Sequence, residues 1–252
     1  MYKRLLKHLI QRWGYDVVPL KQSPPFPVDF DPDAVDTIRA VKPYTMTSHE
    51  RIYAVIQATR YIVAAKIGGA IVECGVWRGG SMMAVARTLL HLGTINVDMF
   101  LFDTYEGMTQ PSSDDVDYRG VDAEPEFVRT RTGADESDWC RATIAEVENN
   151  LTGTSYPRER IKLIKGKVEE TIPAQAPDRI ALLRLDTDWY ESTHHELVHL
   201  YPRLSSGGVL IIDDYGHWKG CRKATDAYFA SGSVAPILFN RIDYTGRIGV
   251  KK

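Results

Sequence analysis

Ile180-Ala181-Leu182-Leu183-Arg184-Leu185-Asp186-Thr187-Asp188 and, further on, Val209-Leu210-Ile211-Ile212-Asp213-Asp214 are the stretches that decide the fold. Each is a short apolar run that stops on carboxylates. Such a run reads as a strand buried on both faces, the habit of parallel sheets. The interval between Asp186 and Asp213 exceeds the dozen or more residues that a crossover to a parallel neighbour requires. If the two strands are adjacent, Asp186, Asp213 and Asp214 meet at the carboxyl edge of one sheet, where open α/β folds bind ligands. Carboxylates about 4 Å apart repel by roughly 4 kcal/mol per pair at an effective dielectric of about 20. The cluster therefore calls for a cation or a proton, and hard oxygen donors suit magnesium, manganese or calcium.

The chain on either side repeats the pattern. Ala70–Cys74 reads as a buried strand before Gly75, with a helix over Ser81–Leu92. Val97–Phe102 is a second strand, ending at Asp103. A helix is expected near Ser137–Asn150, a strand at Ile161–Lys165 closing on Gly166, and helices at Ser192–Tyr201 and Cys221–Phe229. Val234–Asn240 and Ile242–Val250 look like a terminal antiparallel pair turning near Tyr244-Thr245-Gly246. Alternating strands and helices of this kind predict a mostly parallel sheet with helices on both faces. Residues 105–137 are polar, acidic and longer than an ordinary loop, which marks a mobile lid insertion.

The first 66 residues read as a helical and irregular arm, and 67–252 as one α/β domain. Thr47-Ser48-His49-Glu50 has the capping-box spacing, with Thr47 as N-cap of a helix reaching about Lys66. Residues 14–43 carry Pro19, Pro24, Pro25, Pro27, Pro32 and Pro43 and read as an extended arm. Met1 to Trp13 places Tyr2, Leu5, Leu6, Leu9, Ile10 and Trp13 on one helical stripe with basic residues opposite. That stripe docks on the domain or on a second subunit; an anionic membrane surface is the alternative.

Composition narrows the classes. The 252 residues are 44% hydrophobic and 25% charged, ordinary for a globular protein, and the net charge of −2 argues against nucleic acid as a partner. Cys74, Cys140 and Cys221 follow neither a disulfide nor a zinc spacing, which favours a reducing cytoplasm. No apolar run approaches the roughly 20 residues of a membrane span.

Glu73-Cys74-Gly75-Val76-Trp77-Arg78-Gly79-Gly80-Ser81 is a strand-to-helix turn with glycines where a ligand approaches the backbone. It matches neither the dinucleotide fingerprint nor a Walker loop. An acid before the first glycine repels a pyrophosphate and welcomes a cationic amine. Asp103, one strand–helix–strand repeat on, suits the hydroxyls of a ribose. Together they suggest a nucleoside without phosphate and with a positive centre. His195 and His199 share a helical spacing that can ligate a metal, but a solvent-facing helix accounts for them. His217 and Trp218 are candidates to touch a sugar ring, and Arg129 and Arg131 to meet a phosphate; packing and solvation are the plainer accounts.

Four blocks carry a family resemblance. They are Val72 to Ser81, Phe102-Asp103-Thr104-Tyr105-Glu106-Gly107-Met108, Leu183 to Tyr190, and Tyr201 to Gly208 with Ile211-Ile212-Asp213-Asp214-Tyr215. In this order they resemble the macrocin and mycinamicin sugar O-methyltransferases, with the noviose O-methyltransferase of aminocoumarin biosynthesis. The resemblance spans about Tyr44 to Phe229. It implies a Rossmann-like class I methyltransferase fold with a seven-stranded sheet, S-adenosylmethionine as donor, magnesium, a sugar-containing acceptor and a homo-oligomer.

By the same resemblance Glu73 and Gly75 border the methionine part of the donor, Ser81 starts the next helix, and Asp103 holds the ribose with Thr104 beside it. Thr45 and Met46 close over the donor, and Lys167 or Val168 flanks the adenine, where relatives often carry Trp. Asp186, at the donor's edge, joins Asp213 and Asp214 as magnesium ligands, with Asp188 as general base. Asp188 as a helix N-cap is the competing account. A catechol-type O-methyltransferase and a non-catalytic partner of the same fold are the other readings.

Overall fold

The computed structural model describes residues 13 and 26–252; residues 1–12, which carry nearly all of the expected N-terminal helix, and 14–25 lie outside the described residues. The chain divides into Met1–Asp31 and Pro32–Lys252. In the first unit Phe30 N–H donates to the Pro27 carbonyl at 3.2 Å. Everything below concerns the second.

The second unit holds a seven-stranded sheet. Its strands are β1 (Ala70–Cys74), β2 (Met99–Asp103), β3 (Ile161–Lys165), β4 (Ile180–Leu185), β5 (Leu204–Ile212), β6 (Asn240–Arg241) and β7 (Arg247–Val250). The order is β3-β2-β1-β4-β5-β7-β6, parallel except where β7 joins β5 and β6. β1 and β4 are buried along their whole length, as strands covered on both faces must be. β3 lies at an edge, and there Lys162 and Lys165 face solvent. Val72, Cys74, Phe102, Leu183, Leu185, Leu210 and Ile212 form the centre of the core.

β5 begins five residues before the expected Val209, because Ser205-Ser206-Gly207-Gly208 reads as a turn yet runs on as strand. Its pairing with β4 shifts there, from Ile180 opposite Leu204 to Leu182 opposite Val209. The C-terminal pair is shorter than expected, with Val234–Phe239 outside any strand.

The helices also differ in places. Pro32–Val41 is α1 rather than irregular arm: proline suits the first helical turn, and Ala34, Ile38 and Val41 bury one stripe. α2 (His49–Ala64) is capped by Ser48, whose hydroxyl accepts from Arg51 N–H, and not by Thr47, whose hydroxyl lies 3.0 Å from that of Thr45. α3 (Gly80–His91) follows β1. The supposed lid contains a helix, α4 (Glu124–Thr130), and the following α5 starts only at Ile144 and runs to Thr152. Short α6 (Val168–Thr171) follows β3, α7 (Tyr190–Leu200) follows β4, and α8 (Lys219–Ala230) follows β5.

Four backbone bonds extend the ladder past the strand ends. Gly166 N–H donates to Asp103 at 3.0 Å, and at 2.9 Å Gly75 donates to Phe102, Asp186 to Cys74 and Asp213 to Leu185. Asp103, Gly75, Asp186 and Asp213 thus stand in a row along the carboxyl edge. The strand order reverses between β1 and β4, the place where such sheets open a crevice.

Candidate active site

A cavity of about 360 Å³ opens above that edge and is lined by Gly75, Ser81, Asp103, Asp186, Asp188, Asp213 and Asp214, with Thr45 and Met46 from the N-terminal side. A smaller one of about 70 Å³ adjoins it, lined by Thr104, Lys167 and Val168, and shares Gly75, Asp103, Gly107, Met108 and Asp186 with it. Every expected site residue except Glu73 borders one or the other.

The turn after β1 is backbone architecture. Gly75 has φ +79°, and a Cβ there would lie 2.0 Å from the Asp186 carbonyl oxygen, so no other residue lets β1 and β4 close at this point. Asp103 Oδ2 accepts from Val76 N–H at 2.6 Å and Trp77 N–H at 3.2 Å, and Oδ1 from Tyr105 N–H at 2.7 Å. Oδ1 also accepts from the Thr104 hydroxyl at 3.4 Å, so the carboxylate staples the glycine turn to the end of β2 through both oxygens.

The acidic cluster forms as expected. Carboxylate oxygens of Asp186, Asp213 and Asp214 lie within 4.8 Å of one another, the one such grouping of metal-binding side chains among the described residues. Burial first, then the charge of neighbouring carboxylates, raises Asp186 and Asp214 well above the usual range, with Arg184 opposing this at Asp186 and Arg51 at Asp214. Asp214 Oδ2 is buried without a hydrogen-bond partner. Three hard donors, one of them unsatisfied, fit a divalent cation.

Two arginines enter this cluster that sequence reasoning did not assign. Arg184 Nη1 donates to Asp186 Oδ2 and Glu73 Oε1, each at 2.7 Å, and Nη2 to Asp213 Oδ1 at 2.6 Å. Arg51, from α2, pairs with Asp213 and donates through Nε to Asp243 Oδ2 at 3.0 Å. Glu73, expected against the donor, has its carboxylate on Arg184. The signal was present: one acid and one base interrupt two otherwise apolar strands.

Asp188 takes φ +69°, a left-handed conformation that Asp tolerates. It is not the cap of α7; Trp189 holds that position without a side-chain bond. Burial, followed by the charge of Asp186, pushes its carboxyl up to about 8, while bonds to Asp214 and Trp218 work the other way. Trp77 and Cys140, also lining the cavity, share positive φ, so backbone strain collects at this site.

Aromatic rings close the side towards the acidic cluster. Trp189 and Trp218 meet edge to face at 5.0 Å, Trp139 approaches them at 5.6 and 6.2 Å, and His217 lies 5.0 Å from Trp218. Trp139, Trp218 and His217 line the cavity. The segment 105–137 is tied to this wall. Buried Asp115 accepts from Tyr190 N–H at 2.7 Å, Trp189 Nε1 donates to the Thr109 carbonyl at 3.1 Å, and Asp117 bridges to Trp218.

The weaker candidates stay outside. His195 is bonded to the Ile172 carbonyl at 3.0 Å, and among the described residues it and His199 belong to no metal-binding cluster. Arg129 pairs with Glu126, and Arg131 donates to the Gly133 carbonyl.

Strand order, the glycine turn at the switch point and the acids along the carboxyl edge define a class I methyltransferase fold. A family model described as Macrocin-O-methyltransferase (TylF) matches residues 21–248, and the chain belongs to that family. It is 30% identical to the demethyldecarbamoylnovobiocin O-methyltransferase of Streptomyces niveus, over 81% of this chain and 74% of the relative. It is 28% identical to the 8-demethyl-8-(2,3-dimethoxy-α-L-rhamnosyl)-tetracenomycin-C 4′-O-methyltransferase of Streptomyces olivaceus, over 98% and 90%. The solved structure of the O-methyltransferase NovP superposes with a TM-score of 0.72 at 28% identity, covering 82% of each chain. The calicheamicin methyltransferase CalS11, at 18% identity, 93% and 99% coverage and a TM-score of 0.59, shares the fold.

Proposed function

We propose that the protein is a magnesium-dependent O-methyltransferase that moves a methyl group from S-adenosylmethionine to a sugar hydroxyl of a natural product, nucleotide sugar or polysaccharide. The observation that carries this reading is the meeting, in one cavity, of the Gly75 turn and Asp103 with the carboxylates of Asp186, Asp213 and Asp214. The Streptomyces olivaceus relative, a methyltransferase of a rhamnosyl tetracenomycin, supports the sugar acceptor.

On this reading Gly75, Ser81, Thr45 and Met46 surround the methionine part of the donor, Asp103 accepts from the ribose, and Thr104, Lys167 and Val168 flank the adenine. Asp186, Asp213 and Asp214 hold the cation. When bound, magnesium supplies positive charge that gathers sugar oxygens and lowers the pKa of the reacting hydroxyl. Asp188, beside Asp214, takes the hydroxyl proton as the methyl passes from sulfur to oxygen. Asp188 lines the cavity with the three acids, so its carboxylate can reach a hydroxyl held there. Trp139, Trp218 and His217 exclude water and offer aromatic faces to the sugar's C–H groups.

The test is methyl transfer to a panel of deoxysugar glycosides and catechols, with chelator and with restored magnesium. Glycosides are expected to turn over only with the metal. Full activity in excess chelator would overturn the metal's role, and turnover of catechols alone would favour the aromatic acceptor.

A further inference from the structure

Two charges sit in the middle of the sheet where the strand pattern does not need them. β1 and β4 are otherwise apolar, and Glu73 of one stands directly opposite Arg184 of the other. Their side chains are 1% and 2% exposed. Buried ion pairs are weak stabilisers, since well-packed apolar residues often replace them without loss. Fold stability therefore does not account for this pair. The fork of Arg184 does: its two terminal nitrogens address Asp186 and Asp213 separately, and a planar guanidinium fixes the spacing of the groups it bridges.

We infer that Glu73 and Arg184 are a positioning pair for the acidic cluster. Arg184 holds Asp186 and Asp213 at the spacing of a divalent-cation seat, and Glu73 anchors Arg184 from behind instead of meeting the donor's amine. This rests on the magnesium reading above. Arg184 lines the cavity and Glu73 does not. Glu73 Oε1 is taken by Arg184, and Oε2 is buried without a partner.

On the cavity wall the carboxylates of Asp186, Asp188, Asp213 and Asp214 outnumber the guanidinium groups of Arg51 and Arg184. Arg184 is itself a cation on two of the ligands. The carboxylate of Glu73 shares that charge and loosens its hold on Asp186 and Asp213.

The experiment uses the full chain at mildly alkaline pH and measures two affinities by titration calorimetry, one for Mn²⁺ alone and one for S-adenosylhomocysteine, which carries the donor's amine. Glu73→Gln keeps an acceptor for Arg184 but removes the charge. It is expected to weaken Mn²⁺ binding about tenfold, the order of effect of one nearby charge, and to leave S-adenosylhomocysteine binding within about twofold. Arg184→Lys keeps the charge but loses the fork, with the same expectation; circular dichroism checks that each variant folds, and either one suffices. Loss of S-adenosylhomocysteine binding in a folded variant, or wild-type Mn²⁺ affinity, overturns the positioning role. A wild-type chain that binds no Mn²⁺ fails differently, because the magnesium reading then falls first and takes the pair's role with it.

Discussion

The two halves of the cavity are built on different principles. On the side of the glycine turn, the chain after β1 is shaped by backbone: Gly75 allows the approach, and Asp103 is bonded to main-chain N–H groups of Val76, Trp77 and Tyr105. On the acidic side, side chains from separate segments converge: Arg51 from α2, Arg184 and Asp186 from β4 and its end, Asp213 and Asp214 after β5, and Asp243 from the C-terminal turn. The first half depends on what the backbone permits. The second depends on charge balance, and no single segment of it means anything alone.

Three substitutions sharpen the contrast. The largest effect is expected from Asp188→Asn on the acidic side, which should slow turnover by about 10²-fold or more while S-adenosylhomocysteine binds as before. Unchanged turnover would reduce Asp188 to a turn former in left-handed backbone. Next, Gly75→Ala should act on the side of the glycine turn, through the backbone. Its Cβ has no room beside the Asp186 carbonyl, and a loss of about 2 kcal/mol is expected, read as a lower melting temperature with weaker S-adenosylhomocysteine binding. A melting temperature equal to wild type would break the comparison, because the turn would then tolerate a side chain. The smallest is Trp218→Phe, which keeps an aromatic wall but removes the indole N–H from the cavity that Asp188 also lines. A loss of about threefold to tenfold in turnover is expected, the worth of one hydrogen bond, with donor affinity untouched. A change in donor affinity instead would mean that the two halves are not separable.

Legibility followed the same division. Strands β1, β2 and β4 could be read because inner parallel strands are continuous apolar runs, and their last residues mark the carboxyl edge. The start of β5 could not, since Ser205 to Gly208 has the composition of a turn and is held in the sheet by its neighbours. Helix α1 was hidden by the prolines around it, although Ala34, Ile38 and Val41 had the right spacing. Asp186, Asp213 and Asp214 were recognisable because each follows a strand. Arg51 and Trp139 were not, because their partners lie far away in the chain.

By itself the sequence determined the inner parallel strands and which acids end them, because those properties are local and periodic. The crowding at Gly75, the pairing of Glu73 with Arg184 and the arrival of Arg51 at Asp213 were decided by tertiary structure alone. Burial is the physical reason. A charge inside the sheet must find its counter-charge wherever the fold brings one, and that distance is not written in the chain's local order.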